Sequence, residues 1–246
     1  MKQLIDKWDK KSRHYNRYTQ DPRALEYTIL RKITQAGIDF SQKQILDIGC
    51  GTGAYTLHIA AQAAHIDAVD ISPEMLHILR KDAATAKIRN ITTHADSWES
   101  YKLPAAPYDI AIATMFPALK TDAQFQKMHD AADTKLFLGW GGKRGTELIE
   151  ALFEAHGGTY TPPNSATLLK QWLKEQHHPY RLIEHTEEKR RVKPLDQALE
   201  NYAWHLKVRG MEPQQEKIKA ILSRYRNGKG EVVETTLNYL NLIVWR

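Results

Sequence analysis

A glycine-rich turn after a short apolar segment constrains the fold of this chain more than any other feature of its sequence. Residues 45–48 are apolar except for Asp47, and Gly49, Gly51 and Gly53 follow directly. Glycines at these positions allow positive φ angles and a close approach of a ligand to the backbone. A buried strand that runs into such a turn and then into a helix is typical of folds that hold nucleotide-like ligands at the carboxyl edge of a parallel sheet. The motif therefore predicts a ligand site at this turn.

The region around the turn alternates short apolar runs with amphipathic stretches from residue 43 to residue 140, which is typical of repeated βαβ units. Strands are predicted over 44–49, 65–70, 91–94, 108–114 and 135–140, with helices that begin at Gly53, Pro73 and near Thr121 and a fourth helix over 146–154. Ser72 is suited to cap the second of these helices, because Pro73 fits the first helical position.

The chain after residue 157 is less regular. Helical spacing over 165–176, 195–208 and 213–225 predicts three helices, and alternation over 180–192 and 231–245 predicts two strands. Residues 1–42 are expected to form one or two helices, with a break at Asp21 and Pro22. The pattern as a whole predicts an α/β fold: a doubly wound, mostly parallel seven-stranded sheet with helices on both faces, an N-terminal helical segment, a C-terminal helical insertion and a final antiparallel pair of strands.

Composition excludes several classes of protein. With 246 residues, 42% of them hydrophobic and 26% charged, the chain is long enough for one large folded domain and is not disordered. No apolar run approaches the roughly 18 residues that span a bilayer, and the N-terminus lacks the apolar core of a secretory signal. The single cysteine, Cys50, excludes an intrachain disulfide. We therefore expect a cytoplasmic protein with no membrane contact and no metal site.

The net charge of +6 is unevenly distributed along the chain. Residues 44–156 carry a net charge of −4, whereas the segments before and after them each carry +5. Basic flanks around an acidic centre suit an anionic substrate, although ordinary solvated helix faces are the simpler explanation.

The acidic residues near the turn help to identify its ligand. Gly49, Gly51 and Ala54 also satisfy the loose dinucleotide-binding pattern, which is weak evidence when it stands alone. A carboxylate at Asp47 would lie under the turn, where it repels a pyrophosphate and attracts an ammonium group. Asp70, at the end of the second predicted strand, is placed to accept hydrogen bonds from ribose hydroxyls, or is a simple turn residue. These residues favour a ligand with an amino-acid end.

The loop after the third predicted strand offers a further contact. Asp96 can accept a hydrogen bond from an adenine amino group, with Ser97 or Trp98 against the ring. The alternative is that Asp96 forms a local Asx turn, which is common for an aspartate in a loop.

Four stretches within residues 44–150 resemble the motifs of the class I, Rossmann-like, S-adenosylmethionine-dependent methyltransferases. LDIGCGTG resembles their first motif, VDISPEML the second strand with its helix, HADSW the adenine-side loop, and YDIAIATM the fourth strand. The resemblance implies that S-adenosylmethionine is the cofactor. It also implies transfer of a methyl group by in-line displacement, with a small molecule as the expected acceptor.

The resemblance further implies which residues contact the cofactor. The loop of Gly49, Cys50, Gly51, Thr52 and Gly53 would pass the methionine portion, Asp70 would hold both ribose hydroxyls, and Asp96 with Ser97 would hold adenine. Ile71 and Met75 would line the adenosine pocket, and Thr114 and Met115 would lie near the transferred methyl group. Trp8, His14, Tyr15 and Tyr18 resemble the aromatic helix that closes the cofactor site in small-molecule members of the family.

Three segments are predicted on this basis. Residues 1–42 form a helical lid, residues 43–156 form the S-adenosylmethionine-binding core, and residues 157–246 form a helical substrate cap together with the final antiparallel strands of the same sheet. Such a reaction mainly needs the acceptor desolvated and aligned, so a catalytic side chain is not assigned. If a base is needed, His14, His94 and His129 are the histidines expected nearest the cleft.

The residues that follow the fourth predicted strand bear on the class of methyl acceptor. After the fourth strand the chain reads Thr114-Met115-Phe116-Pro117, without the Asn or Asp followed by Pro-Pro and an aromatic residue that is found in enzymes that methylate exocyclic amines. Phe116 and Trp140 can form an apolar wall for a small acceptor or can be core aromatics.

Other functions stay open at this point. An RNA methyltransferase would use Lys189, Arg190, Arg191 and Lys193 with the basic N-terminal segment as a phosphate track. A non-catalytic S-adenosylmethionine-binding module is a further alternative, and a nicotinamide oxidoreductase is disfavoured by Asp47. The oligomeric state is not predicted.

Overall fold

The computed structural model describes residues 2–246, except for the side chains of residues 142–145. This part of the chain contains seven strands and nine α-helices. The helices are α1 (Lys2–Ser12), α2 (Leu25–Gln35), α3 (Thr56–Ala60), α4 (Pro73–Thr85), α5 (Asp122–Asp130), α6 (Glu147–Ala155), α7 (Ser165–Glu175), α8 (Leu195–Lys207) and α9 (Gln215–Leu222). The strands are β1 (Gln44–Ile48), β2 (His65–Asp70), β3 (Ile91–Ala95), β4 (Tyr108–Thr114), β5 (Ala132–Gly145), β6 (Tyr180–Lys193) and β7 (Val232–Trp245).

All seven strands belong to one sheet, in the order β3-β2-β1-β4-β5-β7-β6. The first five strands in this order pair in parallel, and the sheet as a whole is mixed, with one antiparallel hairpin. The predicted fold class is confirmed. The strand order reverses between β1 and β4, and ligands of open α/β sheets bind at such a switch point. The glycine turn follows β1 and therefore lies at this point.

Local sequence explains why the elements around the turn form where they do. Ile45, Leu46 and Ile48 are fully buried, as expected for a central strand covered on both faces. The hydroxyl of Ser72 accepts a hydrogen bond from the amide of Met75 at 3.2 Å, so the predicted cap of α4 is present. Thr121 caps α5 in the same way.

Two predicted boundaries are wrong. The helix expected from Gly53 begins only at Thr56 and is five residues long, because Gly53 has φ +80°, a left-handed conformation that cannot start a right-handed helix. The strand predicted over 135–140 is longer and runs from Ala132 to Gly145.

The chain divides into two compact units. Unit 1 comprises Met1–Gly139, Ser165–Ile183 and Leu242–Arg246, and unit 2 comprises Trp140–Asn164 and Glu184–Asn241. The core of unit 1 includes Leu46, Phe137 and Trp245, and the core of unit 2 is formed mainly by apolar residues of α6, α8 and α9. The predicted division of the chain into a lid, a cofactor-binding core and a substrate cap concerns function, and it stays a prediction.

Among the described residues, none of the helices has the length and apolar character that a membrane span requires.

Candidate functional site

The glycine turn has the backbone conformation that its sequence predicts. Gly49, Gly51 and Gly53 have φ angles of 71°, 56° and 80°. The amides of Gly49 and Cys50 both donate to the carbonyl oxygen of Val69, at 2.8 and 3.1 Å, so the turn is anchored to the end of β2. Positive φ at three alternate positions leaves a cradle without side chains, which suits a ligand that approaches the backbone closely.

Asp47 lies buried under this turn, with 1% of its surface exposed. Its Oδ2 accepts a hydrogen bond from the hydroxyl of Thr56 at 2.6 Å, whereas its Oδ1 is buried and has no hydrogen-bond partner among the described residues. The pKa of Asp47 is raised to about 7, mainly by burial and in part by the nearby charge of Asp70, while the hydrogen bond from Thr56 opposes the shift. Because a buried oxygen without a donor is costly, the site fits a ligand that supplies an N–H or a positive charge.

Asp70 connects three parts of the site. Its Oδ2 accepts from the amide of Gly51 and its Oδ1 from the amide of Ser72, both at 2.9 Å. Burial raises the pKa of the carboxyl group, and the charge of Asp9 adds to this effect. The carboxylate is therefore a turn residue that holds the loop against the entry of α4. Each oxygen keeps a second lone pair, so hydrogen bonds from ribose hydroxyls stay compatible with this role.

Asp96 makes hydrogen bonds within its own loop, and its adenine contact stays a prediction. Its Oδ1 accepts from the amide of Ser97 at 2.8 Å and from the hydroxyl of Ser100. The amide of Asp96 donates to the carbonyl of Asp70 at 3.1 Å, so the loop lies beside the ribose-side acid. The suggested place of Trp98 against the adenine ring is wrong: Trp98 is 2% exposed, and its Nε1 donates to the carbonyl of Gln124 at 3.2 Å in the core.

The other predicted contacts of the cofactor surround the turn on two sides. Ile71 and Thr114 are half-buried at the carboxyl ends of β2 and β4, whereas Met75 and Cys50 are buried. Burial, together with the charges of Asp70 and Asp47, raises the pKa of the Cys50 thiol, so this thiol is not reactive at neutral pH.

Met115 adopts a conformation that is rare for a residue other than glycine. Its φ angle is +53°, and its amide donates to the carbonyl of Leu138 at 2.7 Å. The turn brings Phe116 back onto the glycine loop, where a Cβ added to Gly49 would lie 2.3 Å from Cδ2 of the ring. Such strained residues cluster at functional sites. No local residue pattern predicts this conformation, although Phe116 was predicted either to form an apolar wall for a small acceptor or to be a core aromatic.

The N-terminal segment lies on the same turn, but not as the predicted helix. Helix α1 ends at Ser12, so the expectation that Tyr15 and Tyr18 belong to an aromatic helix is wrong. The hydroxyl of Thr52 donates to the carbonyl of Asn16, which holds an irregular backbone against the loop. A Cβ on Gly51 would lie 3.6 Å from the ring of Tyr15. Tyr18 instead packs on His58 of α3, with ring centroids 4.7 Å apart.

Asp9 is a site residue that the sequence did not identify. Its Oδ1 accepts from the hydroxyl of Ser72 at 2.5 Å and from the amide of Glu74 at 3.3 Å, so α1 is fastened to the first turn of α4. An ion pair between Arg17 and Asp82 adds a second link to the same helix. The contact between Asp9 and Ser72 joins residues that are 63 positions apart in the sequence, and no local pattern predicts it.

The three candidate histidines do not contact the glycine loop. His94 hydrogen-bonds to Asp67 at 2.6 Å, and His14 is exposed. His129 lies at the end of α5, close to the start of β5 and thus at the amino edge of the sheet, where it stacks on His178 with centroids 4.1 Å apart. Burial lowers the pKa of His129. None of the three is placed to act as a base at the loop.

The electrostatic character of the site is acidic. The charge of Asp70 raises the pKa of Asp47, and the charge of Asp9 raises the pKa of Asp70. Within the described residues neither Asp47 nor Asp70 has a Lys or Arg partner within 4.0 Å. Such a site repels a pyrophosphate and attracts a ligand that carries positive charge. S-adenosylmethionine, which carries a sulfonium and an ammonium group, fits these residues.

Comparisons with known proteins agree with this geometry. Residues 45–134 match a family model described as a methyltransferase domain. The chain is similar to aklanonic acid methyltransferase DauC of a Streptomyces species, with 26% identity over 191 residues, which is 74% of this chain and 82% of DauC. It is also similar to a malonyl-acyl-carrier-protein O-methyltransferase of Bacillus cereus, with 27% identity over 40% of this chain and 36% of that protein.

A solved structure shares the fold. The YcgJ protein of Bacillus subtilis superposes with a TM-score of 0.57 and 13% identity, over 88% of this chain and 97% of YcgJ. Because only 13% of the residues are identical, this similarity supports the fold of the chain and carries no information on its substrate.

Proposed function

We propose that this chain, a class I S-adenosylmethionine-dependent methyltransferase, transfers the methyl group to a small-molecule acceptor. The observation that carries the proposal is the orphaned, buried Oδ1 of Asp47 under a glycine cradle in an acidic site. A cationic cofactor with an amino-acid end satisfies this oxygen, and a dinucleotide does not.

The residues that would hold the cofactor are proposed from the same geometry. Asp47 attracts the ammonium group from below the loop, and Gly49, Gly51 and Gly53 leave room for the methionine chain. Asp70 accepts hydrogen bonds from the ribose hydroxyls while it holds the amides of Gly51 and Ser72. The remaining contacts are those of the adenosine side: Ile71, Met75, Asp96 and Ser97.

The chain's own contribution to the reaction is to align the acceptor and exclude water. S-adenosylmethionine supplies, when bound, a methyl group with its own leaving group. Tyr15 and Asn16 cover the loop from one side, and Phe116 covers Gly49 from the other. Alignment of two reacting groups in a dry site can supply about 7 to 11 kcal/mol of the barrier. A hydroxyl acceptor must in addition give up its proton, and no side chain is assigned as the base that takes it.

A small acceptor is supported by the names of the relatives, which include an aklanonic acid methyltransferase and a malonyl-acyl-carrier-protein O-methyltransferase. We propose that the acceptor-binding residues come from the part of the chain after residue 157, which the sequence predicts to be a substrate cap. A cytoplasmic location stays a prediction.

Half-buried and exposed residues alternate along β6, which removes the main support for an RNA methyltransferase. Lys189, Arg191 and Lys193 are half-buried on one face, and only Arg190 of the predicted phosphate track is exposed. A continuous exposed row of cations is therefore not formed by these four residues.

Calorimetric titration tests the proposal. S-adenosylhomocysteine is expected to bind in the micromolar range, and NADH at the same concentration is expected not to bind. Tight binding of NADH without binding of S-adenosylhomocysteine would overturn the assignment of Asp47. In a separate binding measurement, an affinity for duplex RNA whose logarithm falls by about 0.9 per logarithmic unit of salt for each phosphate contact would favour RNA as the acceptor.

A further inference from the structure

The inward face of strand β6 in unit 2 carries three cations in alternate positions. Lys189, Arg191 and Lys193 are half-buried, whereas Arg190 and Val192 between them are exposed. Side chains two residues apart on a strand point to the same face. The three positive charges therefore line one side of the strand, about 7 Å from one to the next.

No carboxylate neutralises these cations directly. Within the part of unit 2 whose side chains are described, none of the three has a carboxylate oxygen within 4.0 Å or a hydrogen-bonded partner. The two acids of the same region are engaged with neutral groups. Glu187 accepts from Nδ2 of Asn238 at 3.2 Å, and Glu234 accepts from the hydroxyl of Thr146 at 3.3 Å.

The cations also lie close enough to repel each other. Burial lowers the pKa of Lys193, and the charge of Arg191 lowers it further, more than the charge of Glu234 raises it. Tyr202 is buried on α8, and this burial raises the pKa of its phenol. The charge of Glu234 also raises this pKa, whereas the charge of Arg191 lowers it. An unpaired charge on this half-buried face is costly.

An orphaned polar atom lies on the same surface. Asn238 is 5% exposed, and its Oδ1 is buried without a hydrogen-bond partner among the described residues. Its Nδ2 is bonded to Glu187 of β6, so the amide group faces the strand that carries the cations. Thr236, two residues before it, is also buried. A buried acceptor without a donor is rare in folded proteins, and an N–H or O–H group of a ligand or a water would satisfy it.

From these contacts we propose that unit 2 contains a binding site for a carboxylate, formed by Lys189, Arg191 and Lys193, with Asn238 as an acceptor for a hydroxyl or N–H group of the same ligand. A guanidinium beside two ammonium groups satisfies both carboxylate oxygens. The ligand is a small hydroxylated carboxylic acid. Its role as the methyl acceptor rests on the proposed function, whereas its binding does not.

Binding is tested with 4-hydroxybenzoate, its uncharged analogue 4-hydroxybenzamide and inorganic phosphate, by calorimetry and ligand-observed NMR on the full chain. The test variant is Arg191→Gln, and Arg190→Gln is the matched control, because it removes the same charge from the exposed face. We expect 4-hydroxybenzoate to bind at least tenfold more tightly than the amide. Arg191→Gln should weaken this binding at least tenfold, and Arg190→Gln should change it less than twofold.

Thermal unfolding of the ligand-free variants separates a binding role from a structural one. Arg191→Gln should raise Tm relative to Arg190→Gln, because it removes one of three repelling cations. A lower Tm for Arg191→Gln would make Arg191 a structural partner of Glu234 and overturn the proposal. Equal binding of acid and amide would also overturn it, and so would tighter binding of phosphate than of 4-hydroxybenzoate, which would assign the site to a phosphate group.

Failure of the proposed function has a different signature. S-adenosylhomocysteine formation is measured in a separate assay with S-adenosylmethionine and the bound acid. Binding of the acid without methyl transfer would leave the carboxylate site intact and count against its ligand as the acceptor.

Discussion

The carboxylate of Asp9 accepts a hydrogen bond from the hydroxyl of Ser72 at 2.5 Å, which fastens helix α1 to the first turn of α4. Ser72 is also the cap of α4 and directly follows the site segment of Asp70 and Ile71. One hydrogen bond therefore joins the N-terminal segment to the helix that would line the adenosine side. Asp9 positions the segment that carries Tyr15 and Asn16.

Asp9→Ala should loosen the N-terminal segment without unfolding the protein. Loss of a hydrogen bond to a charged group costs about 1.5 to 3 kcal/mol, and here it is lost between α1 and α4. Hydrogen exchange of residues 2–17 should speed up by at least tenfold. Asp6→Ala, on the exposed side of the same helix, is the control and should leave exchange unchanged. Equal exchange in both variants would show that Asp9 does not hold the segment.

Gly49→Ala should destabilise the protein more than Gly37→Ala, although both substitutions place an alanine at a positive φ angle. The new Cβ would lie 2.3 Å from the ring of Phe116, whereas at Gly37, which also has positive φ, nothing lies within 4 Å. Both substitutions cost roughly 1 to 2 kcal/mol of backbone strain. Displacement of Phe116 should add about 1 to 3 kcal/mol at Gly49 only. Denaturant unfolding measures the difference, and equal losses would mean that Phe116 moves away freely.

Asp47→Asn should stabilise the ligand-free protein at high pH. The pKa of Asp47 is about 7 in the folded protein and near 3.8 when unfolded, so unfolding releases a proton between pH 4 and 7. Wild-type stability therefore falls as pH rises through this window and stays low above it. The variant should be more stable than wild type at pH 8, by on the order of a few kcal/mol, and similar at pH 4. A destabilised variant at pH 8 would contradict the raised pKa.

The same carboxyl group should make cofactor binding depend on pH. A cationic ligand favours the ionised form of Asp47, so binding should release a proton, and the affinity for S-adenosylhomocysteine should rise from pH 6 to pH 8. The rise should be absent in Asp47→Asn. Calorimetry in buffers of different ionisation enthalpy measures the proton release, and an equal pH dependence in both proteins would exclude Asp47 from the cofactor site.

Asp70→Ala should weaken S-adenosylhomocysteine binding by about 1.5 to 3 kcal/mol. Because Asp70 also accepts from the amides of Gly51 and Ser72, Tm should fall as well. Asp70→Asn keeps one acceptor oxygen and should recover part of the stability. Unchanged affinity together with a lower Tm would restrict Asp70 to its turn role.

The sequence predicted those features that depend on local chemistry. The positive φ angles of Gly49, Gly51 and Gly53, the cap at Ser72 and the strand at 65–70 follow from residue types and short-range periodicity, and all are present. The burial of Asp47 was also expected, because it is the one charged residue in an apolar strand.

Features that depend on long-range packing were missed or misplaced. Helix α1 ends at Ser12 because the backbone of Asn16 is held by Thr52, a contact that sequence spacing does not reveal. The strained Met115 and the Asp9 contact with Ser72 arise only when the sheet and α4 are assembled. Trp98 was placed beside the cofactor because it follows Asp96, but its indole is satisfied by the carbonyl of Gln124 in the core.

Hydrogen exchange with and without S-adenosylhomocysteine tests the account most directly, because it locates the ligand in the chain. We expect the ligand to increase protection at residues 49–53, at Ile71 to Met75, and in the N-terminal segment around Asn16 and Tyr18. Increased protection confined to other parts of the chain, with the glycine loop unchanged, would contradict the assignment of the cofactor site.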